Sequence, residues 1–189
     1  MPRVIDYLRV AERMSAGGFV SLYHRSGAFG FAAGADVRAR GLIGPEDPTI
    51  RPAARALVRQ VAPPFEANLA AALGQACAAI GTEAWLMPKS HWHYELHFGN
   101  RALLEAVLPA IGIDPALLRE RNDGSALAFD AGEAGEAGAL CETAERLLGG
   151  LVGSDFMVAW PEGQTLCTVH HHVQLWFQTT RADVIERVG

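Results

Sequence analysis

Lysine is nearly missing from this sequence: of its 16 basic residues only Lys89 is one, and the rest are arginines. The formal net charge is -5, and no stretch gathers the basic residues into a patch. The electrostatic reason to expect a nucleic-acid partner is therefore absent. Cysteine is scarce as well, with only Cys77, Cys141 and Cys167. An odd number with wide spacing argues against a disulfide framework and points to a reducing compartment. No apolar run reaches the length of a membrane span. The opening residues carry Arg3, Asp6, Arg9, Glu12 and Arg13 where a secretory signal would be continuously apolar. The expectation is a cytoplasmic protein with no membrane partner. No P-loop or dinucleotide fingerprint occurs, since the glycines of 27–34 lack a strand–turn–helix setting.

What is present suffices for one domain. The chain has 189 residues, of which 50% are hydrophobic and 20% charged, enough to bury a core. Val4, Tyr7, Leu8, Ala11 and Met14 recur at helical spacing, ended by Gly17-Gly18. Residues 19–23 and 28–32 read as a hairpin about Ser26-Gly27. Residues 34–52, rich in glycine and proline, form the longest irregular stretch and a candidate lid. Beyond them, Pro63-Pro64 precedes a helix with Phe65, Leu69, Leu73, Ala76, Cys77 and Ile80 on one face, closed by Gly81. A strand region over 83–98 follows, broken at Pro88. Asn100 can cap the next helix, and Asp114-Pro115 opens a short one. Residues 126–129 read as a strand, and a helix with Leu140, Ala144, Leu147 and Leu148 on one face comes next. Residues 156–160 form a strand, 161–164 a turn, and 165–179 one long strand. A last helix follows, capped by Thr180. Cys77 and Cys141 fall on apolar helix faces and read as small core residues. Cys167 reads as a buried strand residue, with the alternative of a ligand or nucleophile near His170.

The fold class expected is α+β: two pseudo-repeated helix–strand–strand units forming a mainly antiparallel sheet, with an N-terminal helix and hairpin. The chain is one domain, 1–189. Its parts are an N-terminal section at 1–52, a first unit at 53–122 and a second at 123–189. The duplication is suggested by two segments. Residues 91–98 are His-Trp-His-Tyr-Glu-Leu-His-Phe and residues 170–177 are His-His-His-Val-Gln-Leu-Trp-Phe. Aligned without gaps they share two histidines, a leucine and a phenylalanine, with Glu95 opposite Gln174.

Six of the seven histidines lie in these two segments. If both are strands, side chains alternate across them. His91, His93, Glu95 and His97 then share one face, and His170, His172, Gln174 and Trp176 share another. His171 and His24 read as structural. Histidines two apart on a strand sit about 6.5 Å apart at Cα and can lean together onto one cation. The expected centre is a divalent metal, zinc, iron or manganese, held by His91, His93, His170 and His172. Glu95 would serve as ligand or general base, His97 as ligand or general acid/base, and Gln174 would orient substrate or water. A solvated strand face is the bland alternative.

Residues 84–88 (Ala-Trp-Leu-Met-Pro) running into 93–99 (His-Tyr-Glu-Leu-His-Phe-Gly) resemble the first motif of the two-histidine phosphoesterases, a metal-free family with two pseudo-symmetric halves. The resemblance implies His93 and His172 as catalytic. Glu95 and Gln174 stand where that family has threonine or serine. Residues 170–174 (His-His-His-Val-Gln) are similar to the histidine motif of the histidine-triad nucleotidyl transferases, which implies His172 as nucleophile. Each resemblance covers a few residues. The leading expectation is a metal-dependent enzyme, hydrolase or oxygenase, acting on a small molecule, with a homo-oligomer possible. The alternatives are a metal-free phosphoesterase or nucleotidyl transferase, and a non-enzymatic binding protein whose pocket is lined by Trp85, Trp92, Tyr94, Trp160 and Trp176.

Overall fold

The computed structural model describes residues 1–16, 19–23, 29–33, 55–121, 124–152, 155–170, 172–179 and 181–188. The elements begin with β1 (Arg3–Ile5), α1 (Tyr7–Ala16), β2 (Phe19–Tyr23), β3 (Phe29–Ala33) and β4 (Arg55–Gln60). Next come α2 (Phe65–Ile80), β5 (Glu83–Pro88), α3 (Trp92–His97), α4 (Arg101–Ala110) and α5 (Pro115–Arg119). The last are β6 (Ala126–Asp130), α6 (Ala134–Leu147), β7 (Phe156–Trp160), β8 (Thr165–His170), β9 (Gln174–Thr179) and α7 (Ala182–Val188). The chain is thus a mixture of helix and antiparallel sheet. None of the described helices is long and apolar enough to cross a membrane.

Seven strands form one sheet in the order β1-β6-β5-β7-β8-β9-β4, every neighbouring pair antiparallel. β2 and β3 make a separate hairpin. Because β6 and β7 both run against β5, they are parallel to each other, and parallel strands need a crossover, here α6. By the same count of reversals β4 and β5 are parallel, and α2 joins them.

The central strands explain their own sequences. β5, β6 and β7 read as near-continuous apolar runs because both faces are covered. Leu86, Leu127, Phe129, Phe156, Val158 and Trp160 face one core with α2 and α6. Trp85, Met87, Ala126, Ala128, Met157 and Ala159 face another with Val10 and Met14 of α1. Local chemistry closes the helices. Gly81 takes the left-handed conformation (φ 66°) that ends α2. The Asn100 side chain accepts from Leu103 N at 3.2 Å, and Asp114 accepts from Ala116 N at 2.9 Å.

Several sequence expectations change here. Val4 belongs to a short strand, and the first helix starts only at Tyr7. β4 lies in a region that carries no clear strand signal. The segment 91–98 is not a strand: β5 stops at Pro88 and the chain turns into α3. The run 165–179 is two strands, β8 and β9, paired back on each other with His170 opposite Gln174. After α2 the first unit continues with one strand, β5, and three short helices, whereas after α6 the second continues with three strands, β7, β8 and β9, so a helix followed directly by two strands is seen in the second unit. The turn at Ser26-Gly27, the stretch 34–52, and His24, His171 and Thr180 lie outside the described residues.

Candidate functional site

Residues 91–98 form a helix because their pattern satisfies two periods at once. Positions four apart share a face on a strand and also, within about 40°, on a helix. Trp92 and Leu96 are such a pair, both buried at 1% exposure in the first core. Each contributes about 2–3 kcal/mol by leaving water, and together they anchor α3. Tyr94 and Phe98 are exposed and lie ring to ring at 5.5 Å.

The same arithmetic redistributes the polar residues. His93 and His97, four apart, keep a common face, with ring centroids 4.4 Å apart and planes tilted by 46°. Glu95, two residues along, turns to the opposite side, as two helical steps of about 100° require. It is fully buried. The Ser90 hydroxyl donates to its carboxyl group, and Val152 N donates to Oε2 at 3.0 Å. Gly99 is needed beside it, since a Cβ there would come within 2.2 Å of Glu95 Oε2. Glu95 thus ties α3 to the loop after α6 and does not join the imidazoles. His91 precedes the helix with φ 66° and ψ 145°, a backbone conformation rare for any residue but glycine. It is buried.

His93 is oriented from outside its own helix. Its Nδ1 lies 2.5 Å from the carbonyl oxygen of Arg119. Arg119 ends α5, where a helix leaves carbonyls without an internal partner. A carbonyl only accepts, so Nδ1 carries the proton, and in the neutral ring the lone pair sits on Nε2. A carbonyl holding one ring nitrogen while the other is turned outward is the arrangement that prepares histidine for a cation. Arg119 itself reaches Glu105 at 2.9 Å, and Arg101 reaches the same carboxylate at 2.7 Å. The Arg101 hydrogen bond, helped by the Arg119 charge, holds the Glu105 carboxyl below its usual value.

The second segment differs in construction. His170 ends β8 and His172 lies in the turn to β9, with ring centroids 4.8 Å apart. The backbone N–H of His172 donates to Nδ1 of His170 at 3.2 Å, so that nitrogen accepts, and the proton of the neutral ring sits on Nε2. The indole of Trp176 stacks on His170 at 5.8 Å and donates to Gln174 Oε1 at 3.1 Å. Gln174 is thus engaged with its own strand neighbour. Val173 closes the turn at φ 54°, a strained conformation for a β-branched residue. Val61 N holds it by bonding to the Val173 carbonyl at 2.8 Å.

Strand register sets the two segments at one end of the sheet. Pro88 of β5 stands beside Phe156 of β7, which stands beside Val169 of β8. The end of β5 and the end of β8 are therefore two strand spacings apart, about 10 Å. Lys89 links this end further, pairing with Asp155 at 3.1 Å. Among the described residues no group of three or more histidines, cysteines or carboxylates assembles as a set able to hold a metal. The expectation placed His91, His93, His170 and His172 on facing strands; here His91 precedes α3, His93 lies in it, His170 ends β8 and His172 lies in the turn to β9.

Comparison with protein-family models, with curated proteins and with solved structures found no match to this chain.

The remaining candidates are structural. Cys167 is buried in β8, and burial pushes its thiol up, as expected of an inert core cysteine. Trp85 belongs to one core, Trp92 and Trp160 to the other, and all three are buried, so the five aromatics do not line a common pocket. Sequence reasoning did not find the Arg119 carbonyl, because a backbone acceptor leaves no residue-type signal.

Proposed function

We propose that the chain is a divalent-cation-dependent enzyme acting on a small molecule, and that its cation rests on His93 and His97. The observation that carries this reading is the hydrogen bond from His93 Nδ1 to the Arg119 carbonyl beside the ring of His97. It leaves Nε2 of His93 as the ligating atom, and the i, i+4 spacing brings a second imidazole alongside. Two imidazoles suit zinc, iron or manganese, with water or substrate oxygens completing the shell. Such an open cation would polarise a carbonyl or phosphoryl oxygen or supply a metal-bound hydroxide, which is hydrolase chemistry; with iron, oxygenase chemistry is the other outcome. Glu95 acts here as a positioning residue that fixes α3. Elemental analysis of untagged protein tests the reading. Stoichiometric zinc, iron or manganese is expected, lost on acidification because protonated imidazole cannot ligate. Absence of metal after gentle purification, with no binding on adding these cations, would contradict it.

A second reading rests on the shared end of the sheet. His93 and His172 could act there as a metal-free acid/base pair on a phosphoester. Activity on a cyclic phosphate or nucleotide that survives a chelator would favour it over the first.

A further inference from the structure

α2 and α6 lie against each other beside the first core, and each brings one cysteine to the seam. Cys77 on α2 is buried and Cys141 on α6 is half-buried. Gly74, one helical turn before Cys77, has no side chain, and a Cβ at that position would stand 3.8 Å from the Cys141 sulfur. The Cys141 sulfur therefore rests against the α2 backbone in the turn that leads to Cys77. There the two thiols come within interaction range of each other, Cys77 on the buried side and Cys141 on the half-buried side. Cys167, in contrast, is buried in β8.

We propose that Cys77 and Cys141 form a peroxide-responsive dithiol in which the more accessible Cys141 is the nucleophile and buried Cys77 closes a disulfide across the α2–α6 seam. The two thiols are unequal in the sense this needs. Interaction with the Cys77 thiol holds the Cys141 thiol below its ordinary value, against burial and the charge of Glu142. The same interaction, and then burial, pushes Cys77 up. A thiolate is the reacting form, so Cys141 reacts first. Its sulfur attacks one oxygen of hydrogen peroxide and the O–O bond breaks. Cys141 becomes a sulfenic acid, and the departing hydroxide takes up a proton as water. The Cys77 sulfur then attacks the sulfenic sulfur. The S–S bond forms, the S–O bond breaks, and the leaving hydroxide accepts the Cys77 proton as a second water. Two thiols are oxidised by two electrons and one peroxide is reduced to two waters. In a reducing compartment the pair rests as dithiol and responds only when peroxide rises.

The test uses the wild-type full chain, treated with hydrogen peroxide, then denatured, alkylated with N-ethylmaleimide and read by intact mass and peptide mapping. The chain contains three cysteines. The expected product takes one maleimide where the untreated chain takes three, and yields a linked Cys77–Cys141 peptide. Dithiothreitol restores full alkylation. Cys77→Ser is expected to leave a sulfenic acid at Cys141 that dimedone captures, and Cys141→Ser to abolish the fast reaction. Oxidation first at Cys167, a disulfide between two chains, or three alkylated thiols at peroxide doses that oxidise exposed methionine would each overturn the proposal. The wild-type mass reading decides the matter even where a variant fails to fold.

Discussion

The two histidine segments look alike as sequence and are built in opposite senses. In α3, His93 donates a hydrogen bond from Nδ1 to a helix-end carbonyl, so its neutral ring keeps the lone pair on Nε2. At the β8–β9 turn, His170 accepts a hydrogen bond from a backbone amide at Nδ1, so its neutral ring carries the proton on Nε2. The first arrangement prepares a ring for a cation. The second prepares a ring to donate, and placing a cation on its Nδ1 would first require breaking the bond from His172 N. Counting histidines cannot separate these cases, because the partner in each is a backbone group. The supports differ too: α3 is fixed by a buried carboxyl group, the turn by a strained valine.

That contrast can be broken at several points. The largest effect is expected for Glu95→Ala, which leaves the Ser90 hydroxyl and the Val152 amide without their shared acceptor. A loss of about 3 kcal/mol in chemical denaturation is expected, whereas Gln174→Ala, in the other segment, should stay within about 1 kcal/mol. Next is cation binding itself. The double variant His93→Ala, His97→Ala should weaken zinc binding by about 100-fold or more, beyond what loss of an outer partner does. His170→Ala with His172→Ala should leave it within a few-fold. Equal losses in the two double variants would remove the distinction. A smaller effect concerns the turn. Val173→Gly should cost under about 1 kcal/mol, since relief of the left-handed backbone offsets lost packing. Val169→Gly, in regular strand and buried, should cost about 3 kcal/mol. The smallest is the ion pair beside the site. Because Arg101 lowers the folded-state value of Glu105, its contribution is present above the ordinary glutamate range. It is lost only as pH falls through the depressed value. In thermal melts across pH, Glu105→Gln should lower the melting temperature slightly at neutral pH and flatten the acid limb, the two proteins converging once pH falls below the depressed value.

Much of the fold was legible. Gly81, Asn100 and Asp114-Pro115 marked helix ends with side-chain and backbone chemistry that the structure uses. The apolar runs at 84–87, 126–129 and 156–160 marked strands. Residues 91–98 were ambiguous because a spacing of four fits both a helix and a strand, so Trp92/Leu96 and His93/His97 keep their faces while Glu95 changes sides. The break at 172–173 was hidden because no glycine, proline or asparagine signals it; His172 and a left-handed Val173 held from β4's end lie in the turn. The meeting of Cys77 with Cys141 depends on how two distant helices pack, which no local pattern encodes.

The most direct test reads the imidazole nitrogens themselves. Long-range 1H–15N correlation spectra at neutral pH should show neutral His93 protonated at Nδ1 and neutral His170 protonated at Nε2. Adding zinc should move the Nε2 resonance of His93 and the ring resonances of His97 while leaving His170 in place. A His93 ring protonated at Nε2, or zinc shifts confined to His170 and His172, would contradict the account.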